Sequence, residues 1–276
     1  VNQTGDNPQN IPKHTTVAII PARFASTRLP GKALIELGGK PMVCWVAERA
    51  LAARNVDRVI VATDSEEIAN AVRPRGIEVA LTSEHHTSGT DRVAEVAAKI
   101  PEAEIIVNVQ GDEPLISPQT IEKAVDVMAA EISKPSGAGI VTTWEPIESN
   151  DDLLDPDLVK VVVDDDDNAV YFSRSPIPFP RDAVKRHGSP DVALAAEPEL
   201  LKLFRKHTGL YVYRRDVLLE FTKWPQTQLE RVEALEQLRA LAHGVKIKVV
   251  EACTVSTGVD TQADLDKVRA QFLQNV

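Results

Sequence analysis

Three cations, Arg23, Arg28 and Lys32, fall within Pro21-Ala22-Arg23-Phe-Ala-Ser-Thr-Arg28-Leu-Pro-Gly31-Lys32, directly after the apolar run Val17-Ala-Ile-Ile20. A buried strand feeding a basic loop sets backbone N–H groups and cations at the carboxyl edge of a sheet, where open α/β folds hold nucleotides. The charge suits a triphosphate, although a solvated basic loop has the same composition. A second motif, Val109-Gln110-Gly111-Asp112, follows the run Ile105–Val109 and puts Asp112 just past a strand end on the same edge. Gly111 lets a ligand approach the backbone, and a carboxylate facing a phosphate loop is a common means of holding Mg²⁺. Asp260, in Ser256-Thr-Gly258-Val-Asp260-Thr261, offers a second carboxylate and is equally suited to cap the helix that follows.

The elements that must position these groups follow from periodicity. Strand-like runs at Val17–Ile20, Arg58–Ala62, Glu78–Leu81 and Ile105–Gln110 alternate with helical patterns over about 42–53, 65–73, 89–99 and 118–130. Such a βαβ succession gives an α/β fold with a mainly parallel sheet flanked by helices, related to the Rossmann type. Ser65 and Ser117-Pro118 supply helix starts. Further on, strands are expected at 140–144, 159–163, 169–173 and 209–213, with Asp164–Asn168 as a hairpin turn. A helix over about Leu229–Ala242, a strand at 246–250 and a terminal helix from Gln262 complete the chain. We expect a disordered tail over 1–14, then a single domain over 15–276 with a mixed α/β subdomain around 140–245.

Composition bounds the function. The chain has 276 residues, 43% hydrophobic and 26% charged, enough for one α/β domain with a substantial core. The formal charge of −10 argues against nucleic acid as a partner, since a polyanion needs a broad basic face. No apolar run approaches the roughly 20 residues that span a bilayer, and the start lacks a signal pattern, so a cytoplasmic location without membrane contact is expected. Cys44 and Cys253 read as reduced, buried thiols.

Eight motifs in order resemble those of the 3-deoxy-manno-octulosonate (Kdo) cytidylyltransferases. They are Ile19-Ile-Pro-Ala-Arg23 through Lys32, Ala62-Thr-Asp64, Thr87-Ser-Gly-Thr-Asp-Arg92, Asn108-Val-Gln-Gly-Asp112-Glu-Pro, Tyr171-Phe-Ser-Arg174-Ser-Pro, His207-Thr-Gly-Leu-Tyr211, Glu230 through Arg239, and Gly258-Val-Asp260-Thr. The resemblance covers about Val17 to Lys267 and implies a nucleotide-diphospho-sugar transferase-like fold. It also implies Mg²⁺-dependent formation of CMP-Kdo and pyrophosphate from CTP and Kdo for lipopolysaccharide synthesis, and a homodimer contacting through the mixed region. Another sugar acid, such as 8-amino-Kdo or a sialic acid, or a non-catalytic nucleotide-sugar sensor, are the alternatives.

On this resemblance Arg23, Lys32, Asp112 and Asp260 are catalytic, and Asp112 with Asp260 hold the metal. Pro21, Ala22, Arg23, Arg28, Lys32, Ser88, Gly89 and Thr90 bind CTP. Arg92, Gln110, Arg174, His207, Tyr211, Glu233 and Gln237 bind Kdo. Chemistry supports several of these. Arg92 can grip a carboxylate bidentately, His207 and Tyr211 alternate on one strand face, and Glu233 and Gln237 are spaced to share a helical face. Helix capping explains Ser88 and Thr90, a core histidine explains His207, and a solvated stripe explains Glu233 and Gln237 equally well without the resemblance. The connection between Arg181 and Lys206, with a helical stretch near Pro198–Arg205, is longer than in compact members. Thr208 and Ser256-Thr257 also depart from the family pattern.

Overall fold

The computed structural model describes residues 14–25 and 29–274. Most of the expected tail and the whole of Arg28 lie outside the described residues. The strands are β1 (Thr16–Ala22), β2 (Glu36–Leu37), β3 (Lys40–Pro41), β4 (Arg58–Thr63), β5 (Glu78–Leu81), β6 (Ile105–Asn108), β7 (Ile140–Pro146), β8 (Lys160–Val163), β9 (Ala169–Ser173), β10 (Arg205–Arg214) and β11 (Ile247–Glu251). The helices are α1 (Met42–Leu51), α2 (Glu66–Val72), α3 (Gly89–Ala98), α4 (Pro118–Ile132), α5 (Asn150–Leu154), α6 (Arg181–His187), α7 (Pro190–Ala196), α8 (Arg215–Phe221), α9 (Gln228–Glu233), α10 (Gln237–Ala242) and α11 (Gln262–Gln274).

Main-sheet order is β11-β7-β10-β6-β1-β4-β5, with β8 paired to β10 and β9. The β6-β1-β4-β5 half is parallel, as the βαβ pattern demands. β10 enters antiparallel between β6 and β7, which makes the sheet mixed. Alternate strand residues feed two cores: Ala18, Ile20, Val59 and Val61 face α1 and α4, whereas Val17, Ile19, Ile60 and Ala62 face α3. Strands buried on both faces read as continuous apolar runs, which is why β1, β4 and β6 were legible.

The helix starts follow the capping chemistry. Ser65 accepts from the amides of Glu67 and Ile68, Ser88 from Asp91 and Ser117 from Thr120. The Asp164 carboxylate accepts from the Asn168 amide at 2.8 Å and closes the β8–β9 hairpin, with Asp167 at a φ of 55°. The long 181–204 connection forms α6, α7 and a 3₁₀ turn over Pro198–Leu203. Leu194 and Phe204 pack with Ile147 and Leu153 in a small core of their own. Cys44 is buried as expected, but Cys253 is exposed, because it falls in the loop after β11 and not in a strand.

One expected element is corrected. The helix over Leu229–Ala242 is two helices, broken where Ala234 takes a φ of 52°. The break is held by a buried pair: Arg239 donates through Nε and Nη2 to the carboxylate of Glu230, and both side chains are under 10% exposed. Arg239 also lies over the Phe221 ring, 4.6 Å from its centroid. The helical period runs through this segment in the sequence, but a buried ion pair and the burial of Leu235 outweigh an unbroken helix. Removing one partner strands the other charge, so Arg239→Leu is expected to lower stability by about 3–5 kcal/mol in urea unfolding. A loss under about 1 kcal/mol would show that the pair does not hold the break.

Candidate active site

Three loops meet at Pro21, at the carboxyl edge of β1. A Cβ on Gly111 would stand 2.8 Å from the Pro21 carbonyl oxygen, and one on Gly89 would stand 3.4 Å from Pro21 Cγ. Only glycine allows the β6 loop to come this close to β1. Gly31, at a φ of 67°, turns the basic loop back into a 3₁₀ turn that carries Lys32. The result is a cleft of about 340 Å³, lined by Pro21, Ala22, Arg23 and Lys32 on one side and by Ser88, Gly89, Gln110 and Asp112 on the other.

Asp112 and Asp260 converge across the cleft floor. Lys32 Nζ donates to Asp112 Oδ2 at 2.6 Å and to Asp260 Oδ1 at 2.9 Å. Burial pulls the ammonium down, but the charge and hydrogen bonds of Asp112 and then those of Asp260 outweigh it, and its pKa is raised. The capping role open to Asp260 falls instead to Thr261, whose hydroxyl accepts from the Asp264 amide while Asp264 accepts from the Thr261 amide at 2.9 Å. Glu113 adds no third negative charge near neutrality: burial first, then Asp112 and Glu145, push its carboxyl up to about 8.

These two carboxylates suit Mg²⁺. They are hard oxygen donors that converge on one cationic group, the Lys32 ammonium, and they number two. One or two carboxylates plus phosphate oxygens is the usual Mg²⁺ arrangement.

A second cavity of about 260 Å³ adjoins the first and shares Gly89 and Gln110 with it. Thr90, Asn108, Tyr211, Tyr213, Glu236 and Gln237 line it. Among the residues expected to bind the sugar, Gln110, Tyr211 and Gln237 are therefore brought together. Gln110 Nε2 donates to the Gly209 carbonyl at 3.3 Å.

The other expected sugar ligands sit elsewhere. Arg92, 3% exposed, lines the first cleft but donates to Asp64 Oδ2 at 2.7 Å and to Thr82. Glu233 lies beyond the helix break, so it shares no helical face with Gln237. Its carboxylate accepts from Ser173 Oγ at 2.7 Å and from the Arg174 amide at 3.0 Å, and its carbonyl accepts from Arg174 Nε. Burial raises the Glu233 pKa, yet the hydrogen bonds from Arg174, Ser173 and Tyr171 win and lower it.

His207 and Tyr211 keep their rings 5.4 Å apart, but not by simple alternation. A bulge opposite β7 between Thr208 and Tyr211 separates them, and Gln110 and Glu113 fill the space above Gly209. Thr142 spends its hydroxyl hydrogen on the Leu210 carbonyl at 2.8 Å, so it accepts from His207 Nε2 at 2.9 Å. This assigns the tautomer and leaves His207 Nδ1 as an acceptor. Burial pushes the imidazole pKa down to about 3.

The comparisons decide the family. The sequence model of the cytidylyltransferases matches residues 17–247. The 3-deoxy-manno-octulosonate cytidylyltransferase of Geobacter sulfurreducens is 54% identical over 251 residues, covering 91% of this chain and 96% of that protein. That of Saccharophagus degradans is 47% identical over 259 residues, covering 93% and 98%. The chain belongs to the Kdo cytidylyltransferase family. A solved CMP:2-keto-3-deoxy-manno-octonic acid synthetase complexed with CTP superposes with a TM-score of 0.83 at 41% identity, over 95% of this chain and 100% of that one. A 4-diphosphocytidyl-2C-methyl-D-erythritol synthase from Anaerococcus prevotii shares only the fold, at a TM-score of 0.60 and 16% identity.

Asp64, Asn108 and Glu236 lie within motifs of the family resemblance, which gives them no role. Glu236 Oε2 accepts from Thr90 Oγ1 at 2.7 Å and ties α10 to the start of α3. Its position next to Gln237 was the available signal, but an assumed unbroken helix directed attention to Glu233. Two outcomes are expected. Gly111→Ala forces the β6 loop off Pro21 and should lower kcat/KM of this cytidylyltransferase by about tenfold to a hundredfold; unchanged kinetics would mean that the loops need not touch.

The second outcome concerns pH. Unfolded His207 takes a proton near pH 6.5, whereas the folded ring takes one only near 3, so its contribution to stability is intact above about 6.5 and is lost as pH falls toward 3. His207→Gln should flatten the fall in unfolding free energy between about pH 6 and pH 4, by up to about 1.4 kcal/mol per pH unit. Denaturant titrations across that range test this, and an unchanged slope would show that the ring protonates within the fold.

Proposed function

We propose that this chain joins CMP from CTP to a hydroxyl of Kdo and releases pyrophosphate. The observation that carries the reading is the convergence of Asp112, Asp260 and Lys32 in a cleft that adjoins a second, polar cavity through Gln110. The relatives named for this reaction support it.

The triphosphate lies along Pro21, Ala22, Arg23 and Lys32, with Arg28 of the same loop, and the nucleoside lies against Ser88, Gly89 and Thr90. Arg23 and Lys32 offset the charge of the departing pyrophosphate. The sugar occupies the second cavity among Gln110, Tyr211 and Gln237, with the His207 Nδ1 acceptor beside Tyr211 and Arg92 in the lining of the first cleft. Glu233 and Arg174 bond to each other and Glu233 to Ser173 of β9, outside the lining of both cavities. The hydroxyl oxygen bonds to the α-phosphorus, the bond to the β-phosphate breaks and the hydroxyl proton is lost to the medium. Asp112 and Asp260 would hold Mg²⁺, which supplies charge to lower the pKa of the hydroxyl and to neutralise the phosphate. The residues bind the two substrates side by side, so no covalent enzyme intermediate is required.

The same reading takes the protein as a homodimer in the cytoplasm, where CTP is at hand. Val170, Phe179 and Val232, all at least 60% exposed, lie on β9, the loop after it and α9, within the mixed region. Exposed apolar residues of this kind suit a subunit contact. No described helix is long and apolar enough to cross a membrane.

The test is pyrophosphate release with CTP, Mg²⁺ and Kdo, run beside 8-amino-Kdo and a sialic acid. Release with Kdo well above the other two is expected, and none with any sugar would favour a sensor. Asp112→Asn and Asp260→Asn should each cut turnover by two orders of magnitude or more, about 3 kcal/mol of barrier. Lys32→Ala should impair CTP binding, whereas Gln237→Ala should raise the Kdo KM several-fold and spare CTP. The reverse split in calorimetry and kinetics would exchange the two cavities.

A further inference from the structure

The loop that carries Asp260 is fixed at three points. The Cys253 amide donates to Thr120 Oγ1 at 2.9 Å, the Val259 amide to the Asp112 carbonyl at 2.9 Å and the Ser256 amide to Glu145 Oε1 at 2.8 Å. The first two acceptors come from α4 and from the Asp112 loop. The third is a carboxylate on β7 that is only 2% exposed.

A buried carboxylate is a costly way to fill a strand position, since an apolar side chain packs there without desolvating a charge. Glu145 pairs with Lys206, its register partner across the β7–β10 pair, with Nζ 2.6 Å from Oε2. One oxygen is thus occupied by the sheet and the other is aimed at the loop. Glu113, beside Asp112, also meets Ser256, whose Oγ lies 3.5 Å from its Oε2. Val259 is fully buried with Leu37, Met42 and Leu265, so the chain between Ser256 and Asp260 is anchored at both ends.

We infer that Glu145 is a positioning residue: by fixing the Ser256 amide it presents Asp260 to the point that Asp112 and Lys32 share. The inference rests on the assignment of Asp112 and Asp260 as the metal-holding pair. It assigns Glu145 no contact with substrate or metal.

Mn²⁺ binding in the presence of CTP and without sugar, read by electron paramagnetic resonance on the full chain, tests it. Glu145→Ala should weaken Mn²⁺ binding about tenfold or more, the usual effect of removing a group that orients a metal ligand. Glu145→Gln keeps an acceptor for Ser256 and should restore most of the affinity. Because a lone Lys206 could impair folding, Glu145→Leu with Lys206→Met removes both charges and should melt near the parent temperature while showing the same weakening. Hydrogen exchange over 252–260 should rise in the Ala and Leu/Met variants and not in Gln. Parental Mn²⁺ affinity and exchange in the folded Leu/Met variant would overturn the proposal. Asp260→Asn separates the two readings: if it binds Mn²⁺ as the parent does, the metal assignment fails, and exchange alone then decides whether Glu145 holds the loop.

Discussion

Two carboxylates from distant parts of the chain point at one place, and the structure around the cleft serves to keep them there. Asp112 and Asp260 repel each other in a half-buried setting, and the Lys32 ammonium between them converts that repulsion into two short charge-assisted contacts. Any displacement of the Lys32, Asp112 or Asp260 loop would separate opposite charges or crowd like ones. The three loops are therefore coupled electrostatically as well as sterically.

Steric coupling comes from the backbone. Gly111 against the Pro21 carbonyl brings the ends of β1 and β6 closer than any side chain would allow, and the Val259 amide ties the last loop to the Asp112 carbonyl. The parallel half of the sheet supplies a rigid edge on which such distances persist. β11 reaches this edge only because it pairs with β7 and not with its sequence neighbours.

The second cavity has a different origin. It exists because β10 runs antiparallel into the sheet, bulges at Gly209 and carries Tyr211 over β6, and because α9 and α10 are broken at Ala234. The Glu230–Arg239 pair spans the break and touches neither cavity. With the chain broken at Ala234, Glu236 and not Glu233 lines the second cavity. The α6–α7 segment packs Leu194 and Phe204 with Ile147 and Leu153 in its own small core, apart from this geometry.

By itself the sequence determined the parallel βαβ half, the basic loop after β1, the carboxylate after β6 and the helix caps, because each depends on residues within a few positions of one another. Apolar runs make buried strands, and Ser or Thr before a helix satisfies its free amides. The order of motifs carried the family resemblance for the same reason: it is a property of the linear chain. Tertiary structure decided what depends on partners far apart. It committed Arg92 to Asp64, turned Glu233 toward β9, gave the cap of α11 to Thr261 and exposed Cys253. It broke a helix whose period was continuous, with Ala234 in the left-handed region and Arg239 brought back onto the buried Glu230 carboxylate. Spacing along a chain fixes which groups can share a face; burial and charge pairing across the fold fix which of them do.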